Sequence, residues 1–231
     1  MNIQDLRDVE ADIRKVEKES GRAEGSVTLM AVSKLHPYED ILSAWQAGQR
    51  LFGENHVQEI VGKFPVPRPE GMILHLIGHL QSNKVRKVVP YVDGIDSVDS
   101  LKLLEKIDAE CAPLGKVMPV LLECNTSGEE AKSGFLTEEE LFDAIAHAVD
   151  LSHVAIHGLM TVGPLEGGPE KTREAFRYLA RLHRDCQKKF PHVDFSVLSM
   201  GMSADFPIAI QEGSTMVRVG TRIFGQRDYT T

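Results

Sequence analysis

The stretch "TLMAVSKLHPYEDILSAWQAGQRLFG", residues 28–53, holds the pattern on which the fold depends. It starts with an apolar run, "TLMAVS" (28–33), that stops abruptly on Ser33-Lys34. An amphipathic segment follows from Tyr38 and closes at Gly48, a residue suited to the left-handed turn after a helix. A second apolar run, "QRLFG" (49–53), then opens. Strand, helix and strand in that order read as parallel pairing, because parallel neighbours need a crossover between them.

Working outward, the same unit recurs along the chain. Further apolar runs are "MILHLIG" (72–78), "VDGIDSV" (92–98), "VMPVLLEC" (117–124), "VAIHGLMTV" (154–162), "FSVLSM" (195–200) and "MVRVG" (216–220). Among the segments between them, "TEEELFDAIAHAV" opens with Thr137 as N-cap and Glu140 in capping-box position. The longest, "PEKTREAFRYLARLHRDCQKKF", places Pro169 in a first helical turn. Eight such units predict an α/β fold, a single-domain (β/α)8 TIM-type barrel, because eight strands close a barrel whose interior side chains just fill it. An open doubly wound sheet is the competing architecture. The charged, helically patterned start, roughly residues 3–20, adds an extra N-terminal helix. Residues 1–25 are then the helix and lead-in, and 26–225 the barrel.

Composition bounds the function. The 231 residues are 42% hydrophobic and 26% charged, ordinary values for a globular chain. No apolar run approaches the roughly 18 residues that span a bilayer. The start lacks the pattern of a signal peptide, so a cytoplasmic protein without membrane contact is expected. The net charge of -8 argues against nonspecific nucleic-acid binding, which needs clustered Lys and Arg. Cys111, Cys124 and Cys186 are widely spaced and read as reduced thiols, not as a disulfide framework or zinc site.

Barrel active sites lie at the C-terminal ends of the strands. Here those ends carry Lys34, Glu54-Asn55, His79-Gln81, Asp96-Ser97, Glu123-Asn125, Met160-Thr161, Ser199-Met200, and Arg218 with Gly220-Thr221. Any one of them alone is no more than the polar start of a loop. The last two turns are more specific. "LSMGMSADFPIAI" sets Ser199, Gly201 and Ser203 at a strand-to-helix turn, with Ser203 expected as N-cap, and "VRVGTRIFG" sets Gly220-Thr221 at the next. Small residues and open N–H groups suit an anion, and barrel phosphate sites commonly form after strands seven and eight. The competing reading is a pair of ordinary Gly/Ser turns.

Weaker motifs carry no chemistry. His75 and His79 of "HLIGH" would lie about 13 Å apart on a strand, too far to share a metal, so no metal site is expected and His75 is read as internal packing. "GPLEGG" (163–168) lacks the Lys-Ser/Thr ending of a phosphate-binding P-loop and reads as a mobile loop. Lys34 gains meaning from the phosphate elements. A lysine amine at an apolar barrel mouth can be desolvated and left nucleophilic towards aldehydes. Pyridoxal 5′-phosphate (PLP) combines an aldehyde with a phosphate, so strand one would supply the amine and strands seven and eight the phosphate site.

At this point the motifs "AVSK", "FGENHVQE" (52–59), "HLIGHLQSNK" (75–84), "IDSVDS" (95–100), "HGLMTV" (157–162) and "LSMGMSADF…GSTMVRVGTRIFG" (198–225) stand in an order that resembles the pyridoxal-phosphate homeostasis proteins. The resemblance runs from about residue 27 to residue 225. It implies a modified TIM barrel related to the N-terminal domain of alanine racemase, with Lys34 as the Schiff-base residue. It also implies Asn55 beside the cofactor ring and Arg218 facing the pyridine nitrogen. Ser199, the backbone near Met200, Gly220 and Thr221 would contact the phosphate. Lys132 of "AKSGF" matches a further family lysine, a second candidate acceptor.

Three function classes follow. The first, which the sequence favours, is a PLP carrier and regulator in vitamin B6 and amino-acid homeostasis; the family resemblance adds a monomer, with a dimer as the alternative, and apo-PLP enzymes as partners. The second is an amino-acid racemase of alanine-racemase type. It needs proton-moving groups on both faces of the substrate, whereas the barrel uses up the chain and Tyr38, Tyr91, Tyr178 and Tyr229 have no clear strand-end position. The third, a sugar-phosphate enzyme without PLP, leaves Lys34 idle.

Overall fold

Eight strands form one sheet that closes on itself, which excludes the open alternative. The computed structural model describes residues 1–129 and 132–226. Its strands are β1 (Thr28–Val32), β2 (Leu51–Glu54), β3 (Ile73–Leu76), β4 (Gly94–Val98), β5 (Met118–Glu123), β6 (Val154–Met160), β7 (Val197–Met202) and β8 (Met216–Val219). Each pairs in parallel with the next, and β8 returns to β1 in the register Thr28↔Met216 through Ala31↔Val219. The helices are α1 (Ile3–Glu19), α2 (Tyr38–Gln46), α3 (Val57–Lys63), α4 (Val85–Val88), α5 (Leu101–Cys111), α6 (Glu138–Ala148), α7 (Gly168–Lys189), α8 (Phe206–Gln211) and α9 (Thr221–Phe224).

Alternation along each strand sorts the side chains into two layers. Leu29 and Ala31 of β1 join the large core beneath the helices, while Met30 joins a small inner core with Leu51 and Met216. The inside of such barrels is ordinarily filled by Val, Ile and Leu. Here the inside also holds a polar group: His75 Nδ1 lies 2.8 Å from Asp96 Oδ1, and Arg218 Nη1 donates to Ser199 Oγ at 2.7 Å. His75 is therefore hydrogen-bonded to a carboxylate inside the barrel and is not simple packing. Gly158 marks a register shift between β5 and β6. A β-carbon there would lie 1.7 Å from Val197 O, so only glycine lets β6 approach β7 this closely.

The extra N-terminal helix forms as expected. Leu6, Val9, Ile13 and Val16 make its buried stripe, spaced three and four apart, each burial contributing about 2 kcal/mol. Asn2 caps it by accepting from Gln4 N at 3.0 Å. Glu17, fully buried, accepts from Gly25 N and Val27 N and pairs with Arg14, which ties the lead-in to the start of β1. These donors outweigh the desolvation that would raise the carboxyl, and hold it below the usual carboxylate value.

Local signals were followed closely elsewhere. Thr137 Oγ1 accepts from Glu140 N at 3.2 Å, Pro169 sits in the first turn of α7, and Gly48 has φ +112 just after α2. One cap differs. Ser203 does not start α8; Asp205 stands at that position, and its carboxylate turns back to accept from Met202 N at 2.6 Å.

Candidate functional site

The strand ends open into a cavity of about 350 Å³, within the roughly 300–1,000 Å³ range of small-molecule sites. Lys34 reaches it from the turn after β1, Asn55 from the turn after β2, and Arg218 from β8. Gly220 and Thr221, where β8 passes into α9, form one wall, and Ser203 and Ala204, after β7, form another. Among the described residues the lining includes two cations and no carboxylate, although the chain carries a net charge of -8. Such a concentration of one sign in a concave site favours an anionic ligand.

Each element is held for a reason. The Lys34 turn contains Leu35 at φ +63, an uncommon conformation for a non-glycine residue, and His36 N donates to Ser33 O at 3.1 Å. Asn55 presents a buried Oδ1 with no hydrogen-bond partner among the described residues. Its backbone rests on Gly78, where a β-carbon would lie 2.2 Å from Asn55 O. A β-carbon on Gly220 would lie 2.8 Å from Val32 O. Both glycines therefore bring neighbouring strand ends close enough to shape the cavity.

Arg218 is the buried charge of the site. Nη1 donates to Ser199 Oγ at 2.7 Å and Nη2 to Thr161 O at 2.8 Å. Burial pulls the guanidinium below its ordinary value, while Asp96, Glu123 and Asp205 pull it back up. Ser199, fully buried, lies behind Arg218 and does not line the cavity. Met200 packs in the outer core, and its carbonyl accepts from Ser214 Oγ at 2.8 Å. The cavity is instead met by the next residues of that turn, Met202, Ser203 and Ala204.

The other strand ends form a separate rim. His79 pairs with Asp99 at 3.1 Å, away from His75, so the two histidines face different carboxylates. Glu123 is pushed up to about 7 by burial and then by Asp99, with Arg218 and His79 opposing. Asn125 Oδ1 accepts from Gly128 N at 3.0 Å and Nδ2 donates to Glu129 O at 3.0 Å, so Asn125 shapes its own loop. Lys132 donates to Gly163 O at 2.7 Å and pairs with Glu129, while Glu129 accepts from Leu165 N at 3.4 Å. These bonds tie the "GPLEGG" segment to the preceding loop.

Tyr38 packs edge-on against Phe64, and Tyr178 lies under Arg181. Neither they nor Tyr91 line the cavity; Tyr229 lies outside the described residues. A larger cavity, about 610 Å³, lies at the opposite end of the barrel beside α1, among Arg7, Arg14 and Arg50 with Glu10 and Glu24. Its mixed charges and distance from the C-terminal strand ends set it apart from this site.

The sequence reading did not single out Lys63. This α3 residue has a side chain 10% exposed, and its ammonium reaches the turn that carries Lys34. Its visible signal, Glu59 and Lys63 four apart on a helix, is that of an ordinary surface pair. The buried Glu54 of "FGEN" was the better clue, since a carboxylate buried at a strand end needs a cation.

Comparisons with known proteins agree with this geometry. The family model described as "Alanine racemase, N-terminal domain" matches residues 4–228. A curated relative from Vibrio alginolyticus, named "Pyridoxal phosphate homeostasis protein", is 42% identical and the match covers 98% of each chain. The structure of PipY from Synechococcus elongatus PCC7942, described as having PLP bound, superposes with a TM-score of 0.79 at 36% identity, covering 92% of this chain and 100% of that one. An alanine racemase from Clostridium difficile 630 shares the fold, with a TM-score of 0.70 at 19% identity over 97% of this chain and 57% of its own. The chain belongs to the alanine racemase N-terminal domain family and, within it, to the pyridoxal phosphate homeostasis proteins.

Proposed function

We propose that this barrel binds pyridoxal 5′-phosphate through Lys34 and serves as a carrier and regulator in PLP and amino-acid homeostasis. The observation that carries the reading is the convergence of the Lys34 amine, the Arg218 guanidinium and the small-residue turns after β7 and β8 on one cavity that has no carboxylate among the described residues. The residues fit the ligand. Lys34 supplies a primary amine, Ser203, Gly220 and Thr221 line an anion-accepting wall, and Asn55 Oδ1 is a buried acceptor with no donor among the described residues. Bound there, the cofactor supplies an aldehyde and an electron-withdrawing ring. Lys34 would hold the cofactor there, its primary amine being the group able to react with an aldehyde. Arg218 is a donor without an acceptor atom, so beside the cofactor ring it would favour an unprotonated ring nitrogen and a weaker electron sink.

The carrier reading is favoured over a racemase by what lines the cavity. Racemisation needs one group to remove a proton and another to return it. Among the described residues the lining offers Lys34 as an amine, with no carboxylate, histidine or tyrosine. The match also covers 98% of a homeostasis relative but 57% of a racemase. Transfer to apo-PLP enzymes, a monomeric state and a cytoplasmic location complete the proposal; among the described residues no helix is long and apolar enough to cross a membrane. Two measurements test it. Added PLP should turn the protein yellow, and a protein that takes up none contradicts the reading. Incubation of the loaded protein with L-alanine should give little D-alanine; turnover near 1 s⁻¹ or faster would make it an enzyme.

A further inference from the structure

Lys34 lies between two residues whose backbones are both held by one part-buried charge cluster. The Lys63 ammonium is surrounded by Ser33 O at 3.1 Å, His36 O at 3.0 Å, Glu54 Oε1 at 2.7 Å and Glu59 Oε1 at 2.6 Å. An ammonium has three donors, so these acceptors saturate it. Its two carboxylate partners also grip the turn. Glu54 Oε1 accepts from Ser33 Oγ at 2.7 Å, and Glu59 Oε1 accepts from Leu35 N at 2.5 Å. The residue before Lys34 and the two after it are thus all fastened to Lys63 or to its partners.

The backbone shows why such fastening is needed. Leu35 stands at φ +63, a left-handed conformation that costs an L-residue stability and persists only where its surroundings over-determine it. A cluster placed solely for stability could sit anywhere along α3. This one converges on the turn that presents the amine. Burial raises the Glu54 carboxyl, while Lys63, by charge and hydrogen bond, and Ser33 oppose it.

We propose that Lys63 is the positioning residue for Lys34: by clamping Ser33 O and His36 O and aligning Glu54 and Glu59, it holds the strained turn so that the Lys34 amine faces an aldehyde bound in the cavity. The inference rests on the reading of Lys34 as the covalent anchor. Lys63 acts through the turn and not on the ligand. Positioning of this kind sets the rate of condensation more than the affinity for the phosphate, because the phosphate site is built from other elements.

The test separates those two quantities. PLP attaches covalently, whereas pyridoxamine 5′-phosphate has no aldehyde and only occupies the cavity. Lys63→Arg keeps the charge beside Glu54 and Glu59 but replaces the compact ammonium with a planar fork that cannot meet both carbonyls. The expected result is attachment of PLP slowed on the order of 10- to 100-fold, with unaltered affinity for pyridoxamine 5′-phosphate. Lys63→Met should lose more, and where it does not fold, Lys63→Arg decides. A parallel loss for both ligands would reduce Lys63 to a structural role, and no change in either would remove it from the site; each result overturns the proposal. Lys34→Met distinguishes the underlying reading. If that variant still attaches PLP at the original rate, the anchor assignment fails; if it loses attachment while Lys63→Arg keeps it, only the positioning role fails.

Discussion

Arg218 Nη1 donates to Ser199 Oγ at 2.7 Å, so the guanidinium of β8 is fixed to the wall of β7 and not to a carboxylate. Asp96, Glu123 and Asp205 all act on it electrostatically, yet its hydrogen bonds go to Ser199 and to Thr161 O. Removing one member of a buried charge group leaves the others uncompensated, which commonly costs 3–5 kcal/mol. Arg218→Met is therefore expected to lower stability by about 3 kcal/mol and the melting temperature by roughly 10 °C. Calorimetry checks it; an unchanged melting temperature would mean that Arg218 is not the balancing charge inside the barrel.

Glu123 gives a pH dependence of definite sign. Burial and Asp99 raise its folded value from 4.5 to about 7. A carboxyl whose folded value is raised contributes stability below the unfolded value and loses it as pH rises through the folded one. The loss falls between about pH 4.5 and 7. Glu123→Gln should remove this dependence and gain on the order of 2 kcal/mol over the wild type at pH 8, with little difference at pH 4. Urea unfolding at the two pH values measures both.

His75 titrates in the same sense, from an opposite charge. Burial alone would lower it, but Asp96, by charge and hydrogen bond, and Asp93 raise it above 6.5. Its contribution to stability is present below pH 6.5 and fades as pH rises through the raised value. An NMR titration of the His75 ring should give a midpoint above 6.5, and Asp96→Asn should bring that midpoint down. A midpoint unmoved by Asp96→Asn would mean that the pair does not act inside the barrel.

Much of this was legible in the sequence, for reasons tied to particular residues. Apolar runs ending in polar residues located all eight strands, because a strand covered on both faces cannot alternate with solvent. Lys34, Asn55, Arg218, Gly220 and Thr221 were found at strand ends and do meet in one cavity. Ser199 was a neighbour of the site in sequence, but it is one step too deep. The register shift between Ser199 and Met202 moves the lining to Met202, Ser203 and Ala204, and no local pattern announces such a shift. Lys63 was hidden for a different reason. Its partners, Ser33, His36, Glu54 and Glu59, are scattered over two strand ends and a helix, and only the pairing of β1 with β2 and the fold of α3 back over them bring them together.

Gly78 links packing to ligand binding. A β-carbon there would lie 2.2 Å from Asn55 O and 2.8 Å from Asn55 Cα, both backbone atoms that cannot move alone. Gly78→Ala should displace the turn carrying Asn55 and weaken PLP binding on the order of tenfold, with Lys34 still able to attach. Equilibrium titration of the cofactor reads the first effect and borohydride trapping the second. Unaltered affinity would show that Asn55 does not contact the ligand.

The central claim is that Lys34 is the anchoring amine. Loading the protein with PLP, reducing it with borohydride and mapping the digested peptides by mass spectrometry tests this most directly. The account predicts a stable adduct on Lys34, with Lys132 unmodified because its ammonium is bound to Gly163 O and Glu129. An adduct located on Lys132 or any other lysine, with Lys34 untouched, would contradict it.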